Sequence, residues 1–69
     1  YQLAYTYRGN AYFDIRQFAL AIEDYNRALE LEPDDYQTLL SRAAAYEKIG
    51  DTEKAQTDYT RAGKLLLED

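Results

Sequence analysis

The protein has 69 residues, 46% of them hydrophobic and 30% charged, with eight basic against thirteen acidic side chains for a net charge of −5. That length holds one small domain, and the balance is that of a globular chain and not a disordered one. Cysteine, histidine, methionine and tryptophan are all missing, which removes zinc fingers, disulfides and the Ser-His-Asp and Cys-His catalytic sets.

In chain order, the first segment is ambiguous. Tyr1, Leu3, Tyr5 and Tyr7 alternate with other residues as a strand would, but Arg8, Ala11, Tyr12 and Ile15 step by three and four, the stripe of an amphipathic helix. A lone strand has no partner elsewhere, so a helix is predicted near 2–15. Arg16-Gln17 forms a turn. Ala21, Tyr25 and Ala28 mark a second helix near 18–31, stopped by Pro33, and Asp34-Asp35 supply capping oxygens for the next. The third helix is predicted near 36–49 and the fourth near 52–67. Between them Gly50 suits a left-handed cap, and Asp51 or Thr52 caps the last helix. Helices of about 14 residues are roughly 21 Å long, a normal size for a globular protein.

Sliding the chain against itself by 34 residues aligns 35 pairs, of which 11 are identical. They are Arg8/Arg42, Ala11/Ala45, Tyr12/Tyr46, Ile15/Ile49, Ala21/Ala55, Asp24/Asp58, Tyr25/Tyr59, Arg27/Arg61, Ala28/Ala62, Leu31/Leu65 and Asp35/Asp69. Chance gives about three in so Ala-, Leu- and Tyr-rich a chain, so the chain is a helical pair duplicated once: repeat one over 2–35 and repeat two over 36–69. The same register settles the first segment, because Tyr5, Gly9 and Tyr12 fall opposite Leu39, Ala43 and Tyr46.

These residues resemble the tetratricopeptide repeat. Its motif places a large residue, a small one and an aromatic in the first helix, then Ala, an aromatic and Ala in the second, then Pro. The first unit reads Tyr5, Gly9, Tyr12, Ala21, Tyr25, Ala28, Pro33. The second reads Leu39, Ala43, Tyr46, Ala55, Tyr59, Ala62, with Leu67 in place of Pro. The resemblance spans both units and implies an all-α fold, two helix-turn-helix repeats stacked as a short right-handed α-solenoid. Gly9, Ala21 and Ala28 then allow close helix approach, with Tyr12 and Tyr25 beside them and Ile15, Leu20, Ile22, Leu29, Leu31 and Ile49 completing the core. Arg8 and Arg42 stand where the family has Leu, so their stems are expected to pack while their heads reach solvent.

A stacked array leaves a concave surface lined by the first helix of each pair, and the resemblance implies that this groove holds a partner peptide or helix. Helical spacing assigns to it Leu3, Thr6, Tyr7, Asn10, Phe13 and Asp14 from the first unit, and Gln37, Leu40, Ser41, Ala44, Glu47 and Lys48 from the second. Some family members, co-chaperones, grip a C-terminal carboxylate with a Lys, Asn, Asn, Lys, Arg clamp. Only Asn10 matches here; Thr6 replaces the first Lys and Ser41 the second Asn, so no such clamp is expected, since a carboxylate without a cation loses its charge-assisted pair.

Other chemistry is thin. Glu30, Glu32, Asp34 and Asp35 cluster but lack the glycine and closing glutamate of a calcium loop. Glu23 and Arg27 are ordered for an i,i+4 ion pair. The three glycines do not form a phosphate loop, and nothing points to an enzyme, a metal or a cofactor. Acid excess disfavours nucleic acid and mildly favours partners with basic surfaces. No apolar run is long enough for a membrane span, and no signal peptide is evident; a soluble, cytoplasmic chain is the default expectation. The chain opens at Tyr1 and two repeats fall below the usual minimum of about three, so a fragment of a longer array is expected. The alternative is a structural unit in which Leu65, Leu66 and Leu67 at the end mediate a homodimer.

Overall fold

The computed structural model describes residues 1–68; Asp69, the last residue of the second predicted unit, lies outside the described residues. Four helices follow one another: α1 (Gln2–Asp14), α2 (Phe18–Leu31), α3 (Tyr36–Lys48) and α4 (Thr52–Leu67). α1 packs on α2 and α3 on α4; α2 and α3 carry the main contact between the two pairs, and α1 lies beside α3. This is the two-repeat helical stack that the duplication predicts. The Tyr1–Tyr7 alternation lies within or against α1, where the three-and-four stripe prevails, and no strand occurs among the described residues.

Local chemistry sets the helix ends. Asp35 accepts a hydrogen bond from the Thr38 amide to open α3, and Asp51 accepts from the Lys54 amide to open α4. The turns after α1 and α3 each need one left-handed residue. Gly50 supplies it in the second unit with φ 84°, while in the first Arg16 is held at φ 65°. A side chain there costs roughly 1–2 kcal/mol that glycine avoids. Arg16→Gly is therefore expected to stabilise the fold by about 0.5–1 kcal/mol, after losing the Arg16–Phe18 ring contact at 5.6 Å. Urea unfolding checks this; a destabilised variant contradicts it.

The core is small-residue packing around one large ring. Ala21, Ala28, Ala43, Ala45, Ala55 and Ala62 are buried, and Tyr25 is only 1% exposed. A Cβ on Gly9 would lie 2.7 Å from the Tyr25 ring, so the bare glycine backbone is what admits that ring. Tyr12, Phe13 and Ile22 pack around Ala21, Tyr25 and Ala45, and Leu65 packs on a second cluster of Leu29, Leu39 and Ala62.

Several expectations need correction. Ile15, Leu20, Leu31 and Ile49 are not core: each is 40% exposed or more. Ile15 and Ile49 stand just past the ends of α1 and α3, and Leu31 is the last residue of α2, beyond the reach of the opposing helix. Leu65, assigned to a self-association surface, is half-buried in the molecule's own core, whereas Leu66 and Leu67 remain exposed.

The heads of Arg8 and Arg42 do not simply reach solvent. Each makes a two-pronged pair with a buried carboxylate: Arg8 with Asp24 at 2.7 and 2.8 Å, Arg42 with Asp58 at 2.8 and 2.7 Å. Such forked pairs fix geometry as well as charge. Asp24 also accepts from Arg27 at 2.9 Å, so its carboxyl is held below the ordinary carboxylate range, chiefly by the Arg8 hydrogen bonds against the opposing effect of burial. The two repeats then diverge. Arg42 donates a further bond to Asn26 of α2 at 2.9 Å and ties the pairs together, while Arg61, the counterpart of Arg27, pairs instead with Asp34 at 2.6 Å. The expected Glu23–Arg27 pair is present at 3.7 Å between exposed groups.

A polar chain joins the starts of α1 and α3. The Thr38 hydroxyl donates to Asp35 at 2.8 Å and lies 2.9 Å from the Thr6 hydroxyl, and the Gln2 amide donates to Asp35. Because the Asp35 bond uses the Thr38 proton, Thr6 is the donor between the two hydroxyls, its proton shared with the Gln2 carbonyl oxygen at 3.2 Å. This buried network holds the two first helices side by side and so sets the width of the surface between them.

Candidate functional site

Where α1 passes α3, with the α2 ring beneath, the surface dips into a pocket of about 150 Å³ lined by Asn10, Phe13, Asp14, Tyr25, Ser41 and Ala44. Five of these were expected from helical spacing. Tyr25 was not, because its place in the small-aromatic-small pattern marks it as core. It is core by burial, but its hydroxyl end reaches the pocket and donates to Asn10 Oδ1 at 2.6 Å. Its phenol is pushed up to about 12, chiefly by burial and further by the Asp14 charge, with Ser41 acting in the opposite sense. The hydroxyl therefore stays protonated throughout the neutral range. Phe13 forms one wall and is braced edge-on by Phe18, ring centres 5.1 Å apart.

The other groove residues are placed as follows. Leu3, Tyr7 and Leu40 are exposed apolar groups at 53%, 63% and 36%, and Gln37, Glu47 and Lys48 are exposed polar ones. None of these six lines the pocket. Glu47 is already engaged, accepting from the Tyr59 hydroxyl at 2.7 Å, which raises the Tyr59 phenol. Thr6 is a correction: it is buried in the α1–α3 network and presents no side chain to a ligand. Among the described residues no cluster of three or more candidate metal ligands occurs, and no helix is long and apolar enough to cross a membrane.

The duplication separates scaffold from surface. Arg, Asp, Ala and Tyr recur at the packing positions, yet all six groove pairs differ: Leu3/Gln37, Thr6/Leu40, Tyr7/Ser41, Asn10/Ala44, Phe13/Glu47 and Asp14/Lys48. The fold needs the first set twice, and of the second set it buries only Thr6.

Comparison with known proteins agrees with this architecture. Two family models, both described as tetratricopeptide repeat, match residues 3–35 and 24–57. Similar curated proteins include Hsp70-Hsp90 organizing protein 1 of Glycine max, 39% identical over 64 residues, which are 88% of this chain and 11% of that protein. Outer dynein arm-docking complex subunit 4 of Danio rerio is 39% identical over 51 residues, 74% of this chain and 10% of that protein. Sperm-associated antigen 1 of Homo sapiens is 40% identical over 57 residues, 83% of this chain and 6% of that protein. The chain thus spans about a tenth of the length of these relatives or less. With its small-residue core, its repeated aromatics and its matched segments, the chain belongs to the tetratricopeptide-repeat family and carries two consecutive repeats.

Proposed function

We propose that this protein–protein interaction module acts through its concave side, where α1 and α3 receive an extended or helical segment of a partner protein. The observation that carries this reading is the pocket itself, whose polar groups converge on the same two helices that present Tyr7, 63% exposed, and Leu40, 36% exposed. An exposed aromatic next to a concavity with hydrogen-bonding groups is the usual form of an anchor site. One relative is named as organizing Hsp70 and Hsp90, which supports a role in assembling proteins. A clamp for a free carboxylate is not part of the proposal: Thr6 is buried where it would need a cation, and the only charged pocket residue is Asp14.

Tyr7→Ala and Leu40→Ala test the reading, because both side chains are exposed and their loss leaves the core intact. In the full-length protein each is expected to weaken capture of the partner about tenfold, as truncation of an anchor does, with unchanged helicity by circular dichroism. Full retention of the partner by both variants contradicts the groove.

A second reading, assembly through the ends, rests on the exposure of Leu66 and Leu67 at 55% and 87%. Head-to-tail stacking has less behind it. The α2 residues Ile22, Asn26 and Leu29 that meet α3 have Gln56, Thr60 and Gly63 as their counterparts on α4, which bury little apolar area. Light scattering should show a dimer that dissociates in Leu66→Gln/Leu67→Gln if the ends associate; a monomer at high concentration removes that reading.

A further inference from the structure

The α1–α3 pocket has a chemistry of its own, narrower than that of the groove around it. Its volume, about 150 Å³, equals roughly five waters at ~30 Å³ each, which suits one long side chain and not a whole small molecule. Its walls are graded. Phe13 and Ala44 offer apolar surface for a methylene stem, and Asp14 and the hydroxyls of Tyr25 and Ser41 offer oxygen.

The charge is one-sided. Asp14 is the only charged residue lining the pocket and is the last residue of α1, where the helix dipole adds negative potential. The Tyr25 proton is spent on Asn10, so its oxygen faces the pocket as an acceptor. The cations close in sequence, Arg8, Arg16, Arg27, Arg42 and Lys48, do not line it; Arg8 and Arg27 pair with Asp24, Arg42 pairs with Asp58, and Arg16 lies over the Phe18 ring. A carboxylate entering here meets Asp14 without a counter-charge, and a purely apolar side chain makes no use of the Asp14 carboxylate or of the free acceptor capacity of the Tyr25 oxygen. Among the described residues the pocket is not repeated, since the second unit carries Ala44, Glu47 and Lys48 where the first has Asn10, Phe13 and Asp14.

Resting on the groove reading above, we infer that this pocket takes a lysine or arginine side chain from the partner segment. Its stem lies along Phe13 and Ala44, and its head is held by Asp14 and the Tyr25 hydroxyl, with the face of Phe13 adding a cation–π contact. The net charge of −5 draws basic segments toward the chain from a distance, and the pocket fixes where the basic residue sits.

The test uses acetylated, amidated pentapeptides of four alanines with lysine, arginine, norleucine, glutamine or glutamate in the centre, titrated into the protein by NMR. The lysine and arginine peptides are expected to shift the signals of Asn10, Phe13, Ser41 and Ala44 and to bind about 1.5- to fivefold more tightly than norleucine, the range for an exposed ion pair. Asp14→Asn should bring the five peptides level. Glu32→Gln, an equal charge change away from the pocket, should leave the preference intact and exclude an effect of net charge alone. Equal binding of all peptides in the groove overturns the cation pocket while keeping the groove. Shifts confined to other surfaces overturn both. Absence of any shift with the lysine and arginine peptides at millimolar concentration overturns the pocket and leaves the groove to the Tyr7 and Leu40 variants.

Discussion

Arg42→Ala is expected to cost about 3–5 kcal/mol, because it leaves Asp58 buried with its only close cation removed. That is as much as a domain of this size commonly has in reserve, so the variant should unfold at very low urea or be largely unfolded without it. Arg8→Ala, the equivalent change in the first repeat, should cost clearly less. Arg8 is 56% exposed against 22% for Arg42, and Asp24 keeps Arg27 at 2.9 Å when Arg8 is gone. Arg42 also carries the bond to Asn26 between the repeats, which Arg8 has no counterpart for among the described residues. Urea unfolding of the two variants side by side decides the matter, and equal losses contradict the account.

The Arg8–Asp24 pair also shapes the response to acid. Asp24 has its folded pKa depressed, with the Arg8 hydrogen bonds as the leading cause. Its contribution is complete above the unfolded carboxylate range, about pH 4, and is lost as pH falls below that toward its folded value. Arg8→Ala should therefore flatten the fall in stability below pH 4.

Gly9→Ala is the second large effect, and it couples the fold to the site. The new methyl would lie 2.7 and 2.9 Å from two carbons of the Tyr25 ring and 3.2 Å from the Ala21 carbonyl oxygen, so the ring has to move. The strain is about 1–3 kcal/mol, offset in part by the ~1 kcal/mol that alanine gains over glycine inside a helix. The second repeat carries the alanine already, with a tyrosine in different surroundings. Ala43 occupies the equivalent position, and Tyr59 is only half-buried and bonded to Glu47, since Ala44 stands where Asn10 does in the first repeat and no described helix covers α4 as α3 covers α2. In Gly9→Ala the Tyr25–Asn10 bond should break and the phenol should fall from about 12 toward 10. Ultraviolet titration beside a Tyr25→Phe control reads the change, and an unmoved titration in a folded Gly9→Ala protein contradicts it.

Much of the fold was legible because it is local and doubled. Helix ends depend on neighbours: Asp35, Pro33, Gly50 and Asp51 announce them, and the 34-residue lag confirms the register where α1 mimics a strand. What was not legible depends on how helices face each other. Helical spacing puts Thr6 on the groove side, but only the closeness of α1 and α3 at Thr38 buries it. Leu65 looks like an exposed tail until α4 brings it to Leu29 and Leu39. Tyr25 satisfies the core pattern and still offers its oxygen to the site, a dual role that no periodicity distinguishes. The arginine–aspartate pairs did leave a trace. Arg8/Arg42 and Asp24/Asp58 are both among the identical pairs, 16 residues apart in each unit, and a charged residue repeated in step with its opposite is a pairing signal.

Hydrogen exchange of the full-length protein with and without its captured partner tests the central claim most directly. The account predicts slowed exchange along the inner faces of α1 and α3, around Tyr7, Asn10, Phe13, Leu40 and Ser41, with the outer face of α4 unchanged. Slowing confined to α4, over Glu53–Lys64 or at Leu66 and Leu67, with α1 and α3 exchanging as in the free protein, would contradict it.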